Sequence, residues 1–241
     1  MKLFIYVLAL LSCSAASAQK NKEVKKSATS STVASVNLDS LFKQIRFRSI
    51  GPFRGGRSVT STGVVQNQLV YYMGSTSGGV WKTEDAGQSW RNVSDNYFKT
   101  GSVGAIAVAE SDQNVVYVGM GEHAPRGVMS SYGDGIYKST DAGKTWTHIG
   151  LEKTRSVSYI RVDPKNPDIV YVAAQGAMHG ATADRGVYKS IDGGTSWKKT
   201  LFVDENTGCA DLSIDMNNPR ILYAAMWDYR RLPWEMRSGR K

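Results

Sequence analysis

Cysteine is almost missing from this sequence, with two in 241 residues, Cys13 and Cys209. Cys13 falls in a stretch that reads as a cleaved leader, so one thiol remains, no internal disulfide can form, and the core must hold without one. Histidine is equally scarce, at three. No H-x-x-x-H, C-x-x-C or Asp-rich calcium loop occurs, so neither a metal site nor a cofactor is expected. Long apolar runs are also lacking. The longest, Leu3 to Leu11, is well short of the roughly 20 residues a membrane helix needs, so no transmembrane segment is expected. The body of the chain, finally, lacks a charge of one sign. The formal net charge is +9, but residues 1 to 48 hold eight Lys or Arg against two acids, and residues 220 to 241 hold six against two. The region between carries about one net negative charge. A nucleic-acid binder places its basic stripe on the folded domain, so nucleic acid is not an expected partner, and the basic ends read as a solvated linker and tail.

What is present begins with a leader. Lys2, the apolar run and Ala16-Ser17-Ala18 make the n-region, h-region and A-x-A site of a secretory signal, residues 1 to 18, with Gln19 first in the mature protein. Leu10-Leu11-Ser12-Cys13 offers a second reading as a lipoprotein box. Both readings export the chain, to a periplasmic, secreted or outer-membrane-associated location. Residues 19 to 46 are mostly Lys, Ser and Thr and read as a disordered linker ending in a short helical segment, "LDSLFKQIRF" from Leu38. In the remainder, 47 to 241, the 24 glycines of the chain and its 10% aromatic content suit short strands and tight turns, an all-β body.

That body repeats. "LVYYMG" at 69 to 74, "VVYVGM" at 115 to 120, "IVYVAA" at 169 to 174 and "ILYAAM" at 221 to 226 align on Tyr72, Tyr117, Tyr171 and Tyr223, at steps of 45, 54 and 52 residues. Another short strand and a Pro/Asn/Asp turn precede three of these anchors. After the first three come a loop, "GVWKT", "GIYKS" or "GVYKS", an Asp-containing turn, and a strand opening with Trp. Each unit is thus four antiparallel strands in about 50 residues, the size of a propeller blade.

The turn is written three times, "KTEDAGQSW" at 82 to 90, "KSTDAGKTW" at 138 to 146 and "KSIDGGTSW" at 189 to 197. It makes sense as a structural lock. The Asp side chain is expected to accept from backbone N–H groups two residues on, Gly to supply positive φ, and Trp to bury a large apolar area. A catalytic group is normally needed once, so Asp85, Asp141 and Asp192 are expected to be structural, as are Gly87, Gly143, Gly194, Trp90, Trp146 and Trp197. The pattern S-x-D-x-G-x-[ST]-W resembles the Asp-box, or BNR repeat, of sialidases, xyloglucanase-type glycoside hydrolases, sortilin-like receptors and photosystem assembly factors. The stretches "FRSIGPFRGGRSV", "GSTSGGVWKTEDAGQSW" and "DPKNPDIVYVAAQG" are similar to exported bacterial glycosyl-hydrolase or BNR-repeat proteins, and this resemblance runs over roughly residues 47 to 237. It implies a β-propeller that acts on or binds glycans, or a non-catalytic scaffold that binds peptide or protein. In the xyloglucanase pattern a catalytic Asp stands in the first-blade loop where this chain has Thr76 and Ser77, so that role is not carried over.

Strand direction separates the two rims of such a fold. Four antiparallel strands put the 2-to-3 loop on one rim and the 1-to-2 and 3-to-4 turns on the other. The Asp turns therefore lie opposite the long loops at 121 to 134 and 175 to 185 and the connections at 91 to 102 and 201 to 210, and the loop rim is the expected binding surface. Five residues past each anchor come Ser77, Glu122, Gly176 and Asp228. Glu122 and Asp228 are the candidate acid and base or nucleophile of a glycosidase, which needs its two carboxyl groups about 5 to 9.5 Å apart. Arg54 and Arg57, His123 and His179, Arg126 and Tyr132, and Trp227 and Tyr229 in the loop-like "WDYRRLPWEM" are the candidate ligand contacts. Spacing puts a fourth Asp turn between about 236 and 247, beyond or at the edge of Lys241. The body thus reads as about three and a half blades, whose expected partners are a glycan or peptide and either the missing blades of a longer propeller or a second copy.

Overall fold

The computed structural model describes residues 56 to 124, 126 and 130 to 239; the leader, the linker, the helical segment from Leu38 and Arg54 lie outside them. The described chain is all-β. The first sheet comprises β1 (Ser58–Val64), β2 (Asn67–Ser75), β3 (Gly79–Thr83) and β4 (Arg91–Asn92), and the second β5 (Val103–Val108), β6 (Val116–Met120), β7 (Ile136–Ser139) and β8 (Thr147–His148). A 3-10 turn, Glu152–Thr154, leads into the third, made of β9 (Val157–Val162), β10 (Val170–Ala174), β11 (Gly186–Ser190) and β12 (Lys198–Leu201). The fourth has three strands, β13 (Thr207–Ile214), β14 (Leu222–Arg231) and β15 (Met236–Ser238). Within every sheet the strands follow chain order and pair antiparallel. Three full blades and part of a fourth make an incomplete β-propeller.

The registers repeat with the sequence. Tyr72 faces Thr62 and Lys82, Tyr117 faces Ala107 and Lys138, Tyr171 faces Arg161 and Lys189, and Tyr223 faces Ser213. In the three full sheets the lysine ammonium lies over the anchor ring, 5.5, 5.3 and 5.1 Å from its centroid. Apolar cores fill the spaces between sheets. Val80, Val103, Val118 and Tyr137 join the first to the second, Ile136, Ile160 and Val172 the second to the third, and Val187, Cys209 and Leu212 the third to the fourth. Cys209 is fully buried there, its Sγ 3.2 Å from the Asp211 carbonyl. Among first strands, β1 neighbours β5, β5 neighbours β9 and β9 neighbours β13, so these strands form the inner side of the stack.

Each Asp turn is a closed hydrogen-bond circuit. Asp141 accepts from the Thr145 amide (2.8 Å) and hydroxyl (2.6 Å), and Ser139 accepts from the Gly143 amide (2.8 Å) while donating to Asp141 (2.8 Å). Asp85 with Ser89 and Thr83, and Asp192 with Ser196 and Ser190, repeat the pattern. The carboxylate thus reaches four residues on rather than two, because the hydroxyl two residues before it takes the nearer amides. Two successive residues need positive φ: Ala86, Ala142 and Gly193 at 58°, 59° and 69°, then Gly87, Gly143 and Gly194 at 91°, 84° and 94°. Only glycine adopts the second of these values at no steric cost.

The Trp of the second and third turns reaches back to the preceding sheet. Trp146 Nε1 donates to Val93 O (2.9 Å) and Trp197 Nε1 to Ile149 O (2.7 Å). Trp90 follows no described sheet, donates to Gly87 O in its own turn (3.1 Å), and is 37% exposed against 7% for Trp146. The anchor tyrosines reach forward, Tyr72 Oη to Ala142 O (2.9 Å) and Tyr117 Oη to Pro167 O (2.8 Å), whereas Tyr223 is 68% exposed.

Two segments differ from the sequence reading. Residues 207 to 210 belong to β13 rather than to a connection, and Trp227 to Arg231 continue β14 instead of forming a loop. The ladder simply does not stop where the anchor pattern does, with Thr207 opposite Asp228 and Gly208 opposite Trp227.

Trp146→Ala is expected to cost about 3–5 kcal/mol, the range for emptying a buried aromatic site, and Trp90→Ala no more than about 1 kcal/mol; urea unfolding of the two variants checks the contrast. Acid provides a second test. The Ser89 bonds hold Asp85, and the Ser196 bonds hold Asp192, at about 2 against an ordinary 3.8. At Asp141 burial pushes upward, yet the Thr145 and Ser139 bonds outweigh it and the result is again about 2. The stability these groups confer is complete above about pH 4 and is lost as pH falls through 2. Asp141→Asn should therefore lower stability at pH 7 and flatten the loss between pH 4 and 2, as measured by urea midpoints across that window.

Candidate functional site

The rim opposite the Asp turns carries the connections from β2 to β3, β6 to β7, β10 to β11 and β14 to β15, together with the entries to β5, β9 and β13. Glu122, directly after β6, is buried, and its carboxylate is ion-paired with Arg57 at the entry to β1. Its amide donates to Ser131 O (3.0 Å) and its carbonyl accepts from Ser156 Oγ (3.2 Å). The residue thus ties three entries of the rim together. His123 lies beside it, its ring 6.3 Å from that of Tyr159. Burial pushes its pKa below 6.5, against the pull of the Gly104 backbone, Glu122 and Asp211.

A second chain of contacts crosses three sheets. Tyr132 Oη accepts from the His179 amide (3.4 Å), and His179 Nδ1 lies 3.1 Å from Arg231 O, which makes Nδ1 the protonated nitrogen, since a carbonyl only accepts. The Arg155 guanidinium sits 5.6 Å from the centre of the Tyr132 ring. Arg126 is exposed at the same rim.

Arg185, which the sequence reading did not single out, is the largest fully buried side chain of the described residues. It donates to the carbonyls of Gln175 (2.6 Å), Ala177 and Gly180 (3.1 Å) and lies 4.9 Å from the centre of the Tyr229 ring, so it folds the 175 to 185 loop around itself. Its position directly before "GVYKS" was the available signal, because that spot ends the loop in every unit. Tyr229 is 1% exposed and bonded to Gly176 O (3.2 Å), which removes it as an open ligand contact. Trp227 stacks on it, ring centres 4.7 Å apart, and donates to Ser238 Oγ (2.9 Å).

The two carboxylates proposed as a catalytic pair have separate partners on separate sheets. Asp228 lies in β14, ion-paired with Arg237 at 2.8 Å, while Glu122 follows β6 and is held by Arg57. The third sheet stands between their sheets in chain order.

Polar satisfaction divides the two rims. Buried polar atoms without a hydrogen-bond partner among the described residues include Thr76 Oγ1, His123 Nδ1, Ser130 Oγ, Gln175 Oε1, Arg185 Nε and Thr207 Oγ1. All of them lie at the loop rim. No atom of the Asp-turn rim joins them among the described residues. Buried polar groups are nearly always paired, so this concentration marks the rim where water or a ligand completes the network. No group of described residues is arranged to hold a metal ion, and no described helix is long and apolar enough to cross a membrane.

Comparison with known proteins places this geometry. No protein-family model matches the chain. An oligoxyloglucan-reducing end-specific xyloglucanase of Emericella nidulans is 28% identical over 109 residues, 44% of this chain and 13% of that protein. A xyloglucanase of Hypocrea jecorina is 27% identical over 143 residues, 54% of this chain and 16% of that protein. Among solved structures, an ancestral GH74 enzyme matches with a TM-score of 0.56 at 19% identity, over 73% of this chain and 22% of its own. The GH74 enzyme of Niastella koreensis matches with a TM-score of 0.52 at 21% identity, over 71% and 26%. The chain therefore spans less than a fifth of the curated relatives it matches. These findings define the fold, a β-propeller of the kind seen in the GH74 structures.

Removing the charge of the buried Glu122 leaves the partly exposed Arg57 facing a neutral partner. Glu122→Gln is expected to cost about 1–3 kcal/mol and Asp228→Asn about 0–1 kcal/mol, a difference that thermal unfolding of the two variants resolves.

Proposed function

We propose that the loop rim binds carbohydrate, as part of an exported glycosyl-hydrolase-like propeller, and that this chain's own residues bind rather than hydrolyse. The single observation that carries the reading is the set of unpartnered polar atoms gathered at that rim. Sugar hydroxyls both donate and accept, and they complete such a mixed set of hydroxyl, amide, imidazole and guanidinium groups. The partial matches to xyloglucanases support the choice of ligand. The engagement of Glu122 by Arg57 and of Asp228 by Arg237 supports binding over turnover. Tyr132 and Trp227 are the aromatic surfaces on which a pyranose ring would rest, and Arg57, Arg126, His123 and His179 are the polar contacts around them.

A second reading, a non-catalytic scaffold for a peptide or protein, is favoured by one observation, the 78% exposure of Trp234 at the tip between β14 and β15. A glycan array followed by calorimetry with a xyloglucan oligosaccharide separates the two. Saturable binding that Tyr132→Ala weakens about tenfold, the order expected for one lost stacking contact, supports the carbohydrate reading. Binding unaffected by Tyr132→Ala and Trp227→Ala, or none at all, overturns it. Release of reducing sugar that Glu122→Gln and Asp228→Asn both abolish would overturn the assignment to binding alone.

A further inference from the structure

The opposite rim holds a cavity that this reading does not use. It has a volume of about 320 Å³ and is lined by the inner strands of all four sheets, a size within the usual range of small-ligand pockets. The register makes four of its residues equivalent. Thr62, Ala107 and Ser213 sit opposite their anchor tyrosines in β1, β5 and β13, as Arg161 does in β9. Three sheets thus place a small side chain at this position, and one places a guanidinium.

That guanidinium is fixed in place without being neutralised. Arg161 Nε donates to Leu212 O at 2.7 Å, and its plane lies 4.9 Å from the centre of the Tyr159 ring two residues earlier on the same side of the strand. Arg57, Lys82, Arg91, Lys138 and Arg237 each pair with a carboxylate, but Arg161 has no acidic partner among the described residues. A preoriented guanidinium with its terminal nitrogens free is suited to bidentate binding of a planar anion.

We propose that this cavity is a binding site for a small monocarboxylate, with Arg161 gripping the carboxylate. The lining argues for that class over phosphate. Ser213 and Thr62 supply hydroxyl groups, Ala107 and the Met216 thioether offer an apolar bed for a short hydrocarbon body, and the negative charge of Glu110, an exposed residue of the lining, opposes a dianion more than a monoanion. The site stands on the rim opposite the carbohydrate surface, so its test is independent of that reading.

Sodium hexanoate, hexanol and inorganic phosphate are titrated into the full chain, followed by saturation-transfer NMR and calorimetry. Hexanoate is expected to bind saturably and hexanol at least about tenfold more weakly, as loss of a charge-assisted bidentate contact dictates. Arg161→Met keeps the stem over Tyr159 and should weaken hexanoate by about tenfold or more, with Arg161→Lys intermediate. Absence of saturable hexanoate binding to the unmodified chain up to about 10 mM, the weak limit of specific recognition, overturns the proposal whether or not the variants fold. So does unchanged affinity in a folded Arg161→Met, or displacement of hexanoate by an equal concentration of phosphate.

Discussion

In each interface between full sheets, an indole N–H belonging to one sheet finds the carbonyl that follows the last strand of the sheet before it. Trp146 does this to Val93 and Trp197 to Ile149, at 2.9 and 2.7 Å. The bond fixes the outer edge of the pair. The anchor tyrosine fixes it from the other side, through Tyr72 to Ala142 and Tyr117 to Pro167. Between these ties the apolar faces pack by area alone, which has no direction of its own. The directional bonds therefore set how one sheet sits on the next, and the apolar cores supply most of the energy. The Asp turn is what aims the indole, since its closed circuit holds the Trp immediately beyond it.

This division of labour leaves the two rims with different characters. On the Asp-turn rim the turn polar groups are consumed in holding the fold. On the loop rim the connections are longer, and buried hydroxyl, imidazole, amide and guanidinium atoms stand without partners. Arg185 explains how such a rim stays ordered. A cation with no helix or strand to brace is wrapped by three carbonyls of its own loop and capped by the Tyr229 ring. Glu122 does the same work with an ion pair that joins residues 65 apart in sequence.

The blade plan was legible because it is written locally. Tyr72, Tyr117 and Tyr171 each precede a turn with its own Thr or Ser, Asp, Gly and Trp, and both the four-strand order and the assignment of rims follow from those short-range signs. What escaped was set by contacts between units. Nothing near Glu122 announces Arg57, and nothing in "WDYRRLPWEM" says that Asp228 continues a ladder begun at Thr207. Arg161 reads as one more polar residue of an alternating strand until the register places it beside Thr62, Ala107 and Ser213. The reach of each Asp was misjudged for a smaller reason, because the preceding hydroxyl had already taken the nearer amides.

Cys209 turns one of these interfaces into something that can be timed. It is the single thiol of the described residues, sealed between the third and fourth sheets, and burial pushes its pKa up to about 12. At neutral pH almost none of it is thiolate, the form that attacks alkylating reagents. Iodoacetamide would modify it only during excursions that part those two sheets, so the labelling rate is a clock for that one opening and is blind to fraying elsewhere.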